Sequence, residues 1–389
     1  MNNQIVVCGA GIVGMSCALA LARSGQRVTL VAPAAPIAPT DPQRHHPRVY
    51  ALSPASRDFL DGIGVWDSLP AERMAQVRAM EILGDGNGRV ELAAWQAAQP
   101  DLAWIVETNE IERVLRQALK LLGVSWLDDR ADRLDAGLLH TEKGAALRAG
   151  LIVGADGAQS PLRAAAGLRS TEEAYDAVGL VTHLDAQLAH HGTALQWFGE
   201  DGVLALLPLP DTQRGPQVSM VWSMRTADAR ALLALDGQAQ RLALQARLMA
   251  ASRGRLGRLD VSGPLQGFPL VLAHAPLIAP GVALVGDAAH RVHPLAGQGL
   301  NLGLADVRAL AAAISEREPF RQVGDERVLR RYRRARAEPL LAMRLATDGL
   351  YRLFGARAAP LAWLRNAGML GVDALPEVKR RLIAQASGF

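Results

Sequence analysis

Gln4–Val31 reads QIVVCGAGIVGMSCALALARSGQRVTLV, and the order of residue types in it decides the architecture of the N-terminal part. Ile5, Val6 and Val7 are β-branched and uncharged, as a buried strand requires. Gly9-Ala10-Gly11-Ile12-Val13-Gly14 follows, and Met15–Ser24, rich in Ala and Leu, predicts a helix. Gly25 stands where a helix C-cap belongs, and Arg27–Val31 resumes a strand. In such a strand–turn–helix unit the first glycine permits the tight turn and the second lets the backbone approach a pyrophosphate. The third lets helix and strand pack closely. The helix start offers free N–H groups and partial positive charge to phosphates. The stretch therefore predicts a dinucleotide-binding βαβ unit. One departure stands out: an acidic residue that would grip the adenosine ribose is missing, since the strand ends Val31-Ala32-Pro33 and no acid precedes Asp41.

The bulk numbers narrow the classes. A chain of 389 residues suits about two or three domains. Half the residues are hydrophobic and 21% charged, the balance of a globular protein. Aromatic content is 4% and no aromatics interleave the basic residues, which argues against a nucleic-acid partner. Cys8 and Cys17 are too few for a disulfide framework or a four-cysteine zinc site. They read as small buried hydrophobes in a reducing compartment. The net charge of +4 is unevenly spread: Arg327–Arg381 carries thirteen basic and four acidic residues. Such asymmetry suggests an anionic neighbour, whether a membrane surface, a nucleotide or a partner protein, against the simpler reading of solvated helix faces. Ile5–Ala22 is apolar but follows no Lys or Arg, and three glycines punctuate it, so it reads as strand and helix rather than signal peptide. A cytoplasmic protein, peripherally associated with the inner membrane, is the expectation.

Two later segments say which dinucleotide. Leu151–Arg163, LIVGADGAQSPLR, predicts a strand to Gly154, a turn at Asp156-Gly157 and a helix from about Ser160. Ala283–Leu304, ALVGDAAHRVHPLAGQGLNLGL, follows a strand over Val282–Val285 that ends at Gly286-Asp287. Asp287 is suited to accept hydrogen bonds from a ribityl chain. Pro294 rigidifies the turn, and Gly297-Gln298-Gly299 opens a helix over about Leu300–Ile314. A helix N-terminus aimed at the pyrimidine end of a reduced flavin would stabilise its negative charge. His290 and His293 have metal-like spacing, but no third ligand accompanies them and no metal is expected.

These motifs resemble the three flavin-binding motifs of single-component FAD-dependent aromatic hydroxylases, and most closely the ubiquinone-biosynthesis branch. Further stretches carry the likeness: Arg48–Ser53, Gly64–Trp66, Leu204–Leu209, Val221–Ser223, Phe268–Leu270 and Thr347–Phe354. It runs essentially end to end. The resemblance implies that Gly9, Gly11 and Gly14 contact the FAD pyrophosphate and that Arg48 lies near phosphates or flavin. It implies Asp287, after Gly286, on the ribityl chain and Pro294 beside the ring, with Gly297, Gln298 and Gly299 at its pyrimidine edge and Asn301 also among the cofactor-binding residues. Asp156-Gly157 is associated with FAD and the nicotinamide donor. Glu112 stands where the family often has Gln. The implied reaction uses NAD(P)H to reduce the flavin and dioxygen as the source of one oxygen atom for an electron-rich ring. No catalytic acid or base is assigned.

The expected fold is α/β: a Rossmann-like FAD-binding domain from 1–75, 107–172 and 270–339, with an inserted antiparallel-sheet substrate domain from 76–106 and 173–269. A helical region over 340–389 completes it. Within the insert His183, Trp197 and Trp222 are candidates for a substrate pocket. The expected substrate is an aromatic, polyprenylated small molecule of ubiquinone biosynthesis. The alternatives are a small soluble phenol and a non-catalytic flavoprotein subunit of a quinone-biosynthesis assembly. The basic C-terminal region would meet a membrane or that complex.

Overall fold

In the computed structural model the described residues are 3–388 except 136, 293–297 and 356–358, with the side chains of 350–355 and 359–364 also outside the description. The Gln4–Cys8 strand lies inside a six-stranded sheet ordered Ile278–Ala279, Val282–Leu284, Leu151–Gly154, Gln4–Cys8, Arg27–Val31, Ser125–Leu127. Every neighbouring pair runs parallel except the outermost, Ile278–Ala279 with Val282–Leu284. A parallel strand is covered on both faces, which is why QIVVC shows no polar alternation. Ile5, Val6, Val7 and Cys8 are fully buried. The Ile12–Arg23 helix packs on this sheet beside the Thr108–Leu121 and Gly299–Ser315 helices. Cys8 and Cys17 are both free and buried within this core. Burial pushes the Cys17 thiol up to about 12.

A nine-stranded sheet makes the second layer. Its order is His290–Arg291, Gln266–His274, Thr171–Ala186, Gly215–Arg225, Gly202–Thr212, Thr193–Gly199, Ala79–Leu83, Arg89–Ala93, with Leu259–Val261 also on Thr171–Ala186. The sheet is not wholly antiparallel as expected: Ala79–Leu83 joins Thr193–Gly199 in parallel. That strand arrives from a distant part of the chain, so no hairpin dictates its direction. Thr226–Leu233 and Gly237–Ser252, within a stretch expected to be strand-rich, are helices. Their Leu232, Leu244 and Leu248 bury one face of the sheet.

A three-stranded antiparallel sheet, Val49–Leu52, Ala103–Glu107 and Met74–Val77, lies alongside. The expected boundaries at 75/76 and 106/107 fall inside two of its strands. The expected boundary at 339/340 falls within one helix, Glu326–Gly355.

Part of the basic excess of the C-terminal part is met by ion pairs, four of them to acids outside 327–381. Arg330, Arg331, Arg336, Arg365, Lys379 and Arg380 pair with Glu326, Glu318, Asp306, Asp85, Asp373 and Glu377. The Ala359–Asp373 helix is pinned to the Gly84–Gly88 turn: Asn366 accepts from the Gly88 N–H at 2.8 Å and donates to Asp85 at 2.8 Å. A Cβ at Gly88 would stand 2.5 Å from that Asn366 oxygen, so only glycine admits the contact.

Candidate active site

The C-terminal ends of three neighbouring parallel strands bring Gly9–Gly14, Ala155–Gly157 and Gly286-Asp287 to one edge of the six-stranded sheet. Such an edge is where ligands of open α/β sheets bind. Here it meets the nine-stranded sheet around a cavity of about 590 Å3.

The glycines of the first turn divide the labour. Gly9 has φ +109°, and a Cβ on it would lie 2.2 Å from the Ala155 carbonyl oxygen. A Cβ on Gly14 would lie 2.0 Å from the Gly9 carbonyl oxygen. Both are packing positions. Gly11 alone of the three lines the cavity, with nothing within 4 Å of where its Cβ would be. It is the N-cap of the helix and supplies no side chain, so the first helical amides are left open. Gly157, Asp287 and Gly299 also line the cavity. Open amides, a glycine with vacant space before it and a carboxylate in reach of the same volume fit a bound dinucleotide.

Arg48 lines the cavity edge with its guanidinium over the Phe268 ring, 5.8 Å from the centroid. Its position depends on residues the sequence reading missed. Thr108 donates to the Arg48 carbonyl through N–H, at 3.1 Å, and through Oγ1, at 2.9 Å. Next to it Glu107, buried, accepts from the His46 N–H at 2.7 Å, from His45 Nδ1 at 3.0 Å and from Arg73. Burial would raise the Glu107 carboxyl, but these donors win and hold it below its ordinary range. Tyr50, also lining the cavity, has its phenol raised by burial.

Several expected site residues have other work. Asn301 is buried with its amide committed to protein: it accepts from Ser53 N–H at 3.0 Å and donates to Ala51 O at 2.9 Å and Gln298 Oε1 at 3.0 Å. It therefore fixes the strand beside the cavity rather than facing it, and Gln298 is spent on Asn301. Asp156 caps the Pro161–Ala165 helix through Ser160 Oγ and the Leu162 N–H. Burial lifts its carboxyl above the usual range despite those bonds. Trp197 and Trp222 belong to the core between sheet and helices, on the face away from the cavity. Successive strand residues alternate faces, so the cavity receives their neighbours Gln196 and Val221 instead. His183 lines a different pocket of about 270 Å3 and bonds His46 O through Nε2 at 2.8 Å. Burial draws its imidazole below the ordinary value. Pro294, Gly297 and His293 lie outside the described residues. His290 is buried against Asp306, its Nε2 at 2.6 Å from the carboxylate.

The chain matches the family model described as "FAD binding domain" over residues 2–344. It is 32% identical to 3-demethoxyubiquinol 3-hydroxylase of Escherichia coli (strain K12), covering 100% of both chains. It is 32% identical to ubiquinone hydroxylase UbiL of Rhodospirillum rubrum, over 99% of this chain and 89% of that one. It is 30% identical to the mitochondrial ubiquinone biosynthesis monooxygenase COQ6 of Danio rerio, over 99% and 89%. Among solved structures, p-nitrophenol 4-monooxygenase PnpA of Pseudomonas putida superposes with a TM-score of 0.76 at 20% identity, covering 100% of this chain and 98% of that one. PqsL, a probable FAD-dependent monooxygenase of Pseudomonas aeruginosa, gives 0.74 at 22%, covering 95% and 99%. These two carry the fold. Together with the glycine turn and the cavity edge, the matches make this chain a member of the FAD-dependent aromatic hydroxylase family, in its ubiquinone-biosynthesis branch.

Proposed function

We propose that this flavoprotein monooxygenase hydroxylates an uncharged, polyprenylated quinol-type ring in ubiquinone biosynthesis, a reading supported by relatives named as a 3-demethoxyubiquinol 3-hydroxylase, a ubiquinone hydroxylase and a ubiquinone biosynthesis monooxygenase. The observation that carries the reading is the chemistry of the cavity wall furthest from the dinucleotide edge. Met80, Val181, Ala194, Ala205, Leu207 and Val221 are apolar, and the polar lining residues of that sheet are Gln196, Ser219, Gln266 and, on its edge strand, Arg291. Among the described lining residues the cations are Arg48 and Arg291, with Asp287 as the acid. A benzoate-like substrate would need a cation beside Ala194, Ala205 and Val221 to offset its desolvation, whereas Arg291 stands on the edge strand, four residues from Asp287. A neutral ring with an apolar tail needs none.

When bound, FAD would supply the redox chemistry that lets NAD(P)H and dioxygen serve ring hydroxylation, with one oxygen atom going to the ring and the other to water. The chain's residues do the rest. Gly11 and the open amides behind it would receive the pyrophosphate, and Asp287 the ribityl hydroxyls. The start of the Gly299–Ser315 helix would face the pyrimidine edge and favour negative charge there. Gln196 and Ser219 would orient a ring hydroxyl. The apolar wall excludes water, which otherwise diverts reducing equivalents to hydrogen peroxide.

No helix among the described residues is long and apolar enough to cross a membrane. Substrate access from a bilayer would use the exposed Leu341 and Leu345 on the Glu326–Gly355 helix, with Arg344 beside them. The test is turnover of purified holoenzyme with short-chain prenyl quinol precursors and with hydroxybenzoates, following NAD(P)H oxidation and hydroxylated product by mass spectrometry. Product from hydroxybenzoates alone would defeat the proposal.

A further inference from the structure

Asp306 is fully buried in the Gly299–Ser315 helix, directly behind the Gly286-Asp287 turn. An unpaired carboxylate there would cost several kcal/mol. It is instead saturated with donors: the Gly286 N–H at 2.9 Å and His290 Nε2 at 2.6 Å on one oxygen, Arg336 Nε at 2.7 Å on the other. Burial alone would raise its pKa, and His290, Arg336 and the Gly286 amide outweigh burial and hold it low. Arg336 and His290 are themselves buried. The donors come from three different elements, the turn, the His290–Arg291 edge strand and the Glu326–Gly355 helix.

What this network encloses is informative. Gly286 and His290 bracket Asp287, which lines the cavity. The turn has no side-chain cap of its own, and Gly286 sits at φ +61° against the Val13 side chain. Two bonds hold the frame around it: Tyr332 Oη donates to Leu284 O at 2.7 Å, and Arg336 Nη2 to Leu302 O at 3.3 Å. Hydrophobic side chains of similar volume commonly stabilise a core as well as a buried ion pair does. Stability therefore gives no reason for charge at this spot; a directional grip on one amide and one imidazole does.

We propose that Asp306 is a positioning residue for the cofactor: it clamps Gly286 and His290 on either side of Asp287, and Arg336 holds the clamp from the neighbouring helix. The proposal rests on FAD occupying the cavity that Gly11 and Asp287 line. Its test is FAD titration of flavin-stripped protein, with visible circular dichroism of the bound flavin and the thermal midpoint of the apoprotein. Asp306→Asn, of equal size but uncharged, raises the FAD dissociation constant at least five-fold and alters the flavin dichroism. Arg336→Met does the same, and Arg336→Lys, which keeps the cation, stays within five-fold of wild type. Affinity within five-fold and unaltered dichroism in both Asp306→Asn and Arg336→Met would overturn the clamp, whatever happens to the thermal midpoint. Should those two variants fail to fold, His290→Gln decides by the same thresholds. Gly11→Ala and Asp287→Ala run alongside: if neither weakens FAD, the cavity assignment has failed rather than the clamp.

Discussion

Gly14 faces the carbonyl oxygen of Gly9 so closely that a Cβ on it would lie 2.0 Å away, whereas Gly11, between them, has nothing within 4 Å of its Cβ position. Two glycines of one motif therefore serve different ends, and substitution separates them. Gly14→Ala forces backbone apart and is expected to destabilise the apoprotein by about 1–3 kcal/mol, seen as a lower thermal midpoint without flavin. Gly11 has φ −72° and ψ 176°, which alanine adopts freely. Gly11→Ala should leave the apoprotein midpoint unchanged and weaken FAD about ten-fold, or roughly 1.4 kcal/mol. Equal loss of apoprotein stability in both variants would contradict this division.

How far the sequence could be read follows the same physics. The parallel strands and their glycine turns were legible because burial on both faces leaves uninterrupted apolar runs, and the turns need residues without Cβ. The substrate side was misread by one residue. Trp197 and Trp222 are the expected pocket residues, yet strand alternation puts Gln196 and Val221 on the cavity face. The phase is set by the Thr226–Leu233 and Gly237–Ser252 helices, which cover the tryptophan face and were read as part of a strand-rich stretch. The resemblance implies Asn301 at the cofactor, but helical geometry turns it inward to Ala51 and Ser53. Asp306 had a signal that went unused, a lone acid inside the apolar run LNLGLADVRAL. Such a residue must find buried partners.

Gln196 and Ser219 are two of the polar interruptions of the cavity's sheet wall, with Gln266 beside Val181, so they carry part of the discrimination that wall can offer a ring hydroxyl. Gln196→Leu is expected to lower kcat/KM for the quinol substrate about 10- to 100-fold, roughly 1.4–2.7 kcal/mol, and to divert NAD(P)H oxidation to hydrogen peroxide. Trp197→Phe, one residue along but on the opposite face, should cost about 1–2 kcal/mol of stability and leave coupling intact. Peroxide yield per NAD(P)H oxidised distinguishes them. If Trp197→Phe uncouples and Gln196→Leu does not, the assignment of faces is wrong.

The acid limb of stability should reflect Glu107. Its carboxyl is lowered from an ordinary 4.5 because His45, Arg73 and the His46 amide outweigh burial. A depressed acid pKa means that the unfolded chain takes up the proton first on acidification. The contribution is therefore complete above about pH 5, is lost as pH falls through the folded value, and is gone below it. Chemical denaturation between pH 3 and 7 should show wild-type stability falling on the acid side. Glu107→Gln should be less stable at pH 7, with the gap closing as pH falls. A gap that is constant across that range would rule out the ionised Glu107 as the cause.

Leu341 and Leu345 are 55% and 62% exposed and four residues apart, hence on one side of the Glu326–Gly355 helix. Arg334 lies seven residues before Leu341 on the same side and is exposed, as is Glu338 between them; Arg344 is exposed next to Leu345. Since at least six basic residues of the C-terminal part are already paired with acids, the leucines would supply most of the grip in the proposed bilayer contact. Each buried leucine is worth about 1.5–3 kcal/mol of apolar transfer. Leu341→Ser with Leu345→Ser should therefore abolish flotation with anionic liposomes while leaving the thermal midpoint and the bound flavin spectrum unchanged, because neither side chain is in the core. Added salt should weaken wild-type flotation only partly, as apolar contact is not screened. Flotation of the double variant equal to wild type, or wild type that does not float, would defeat the proposed bilayer contact.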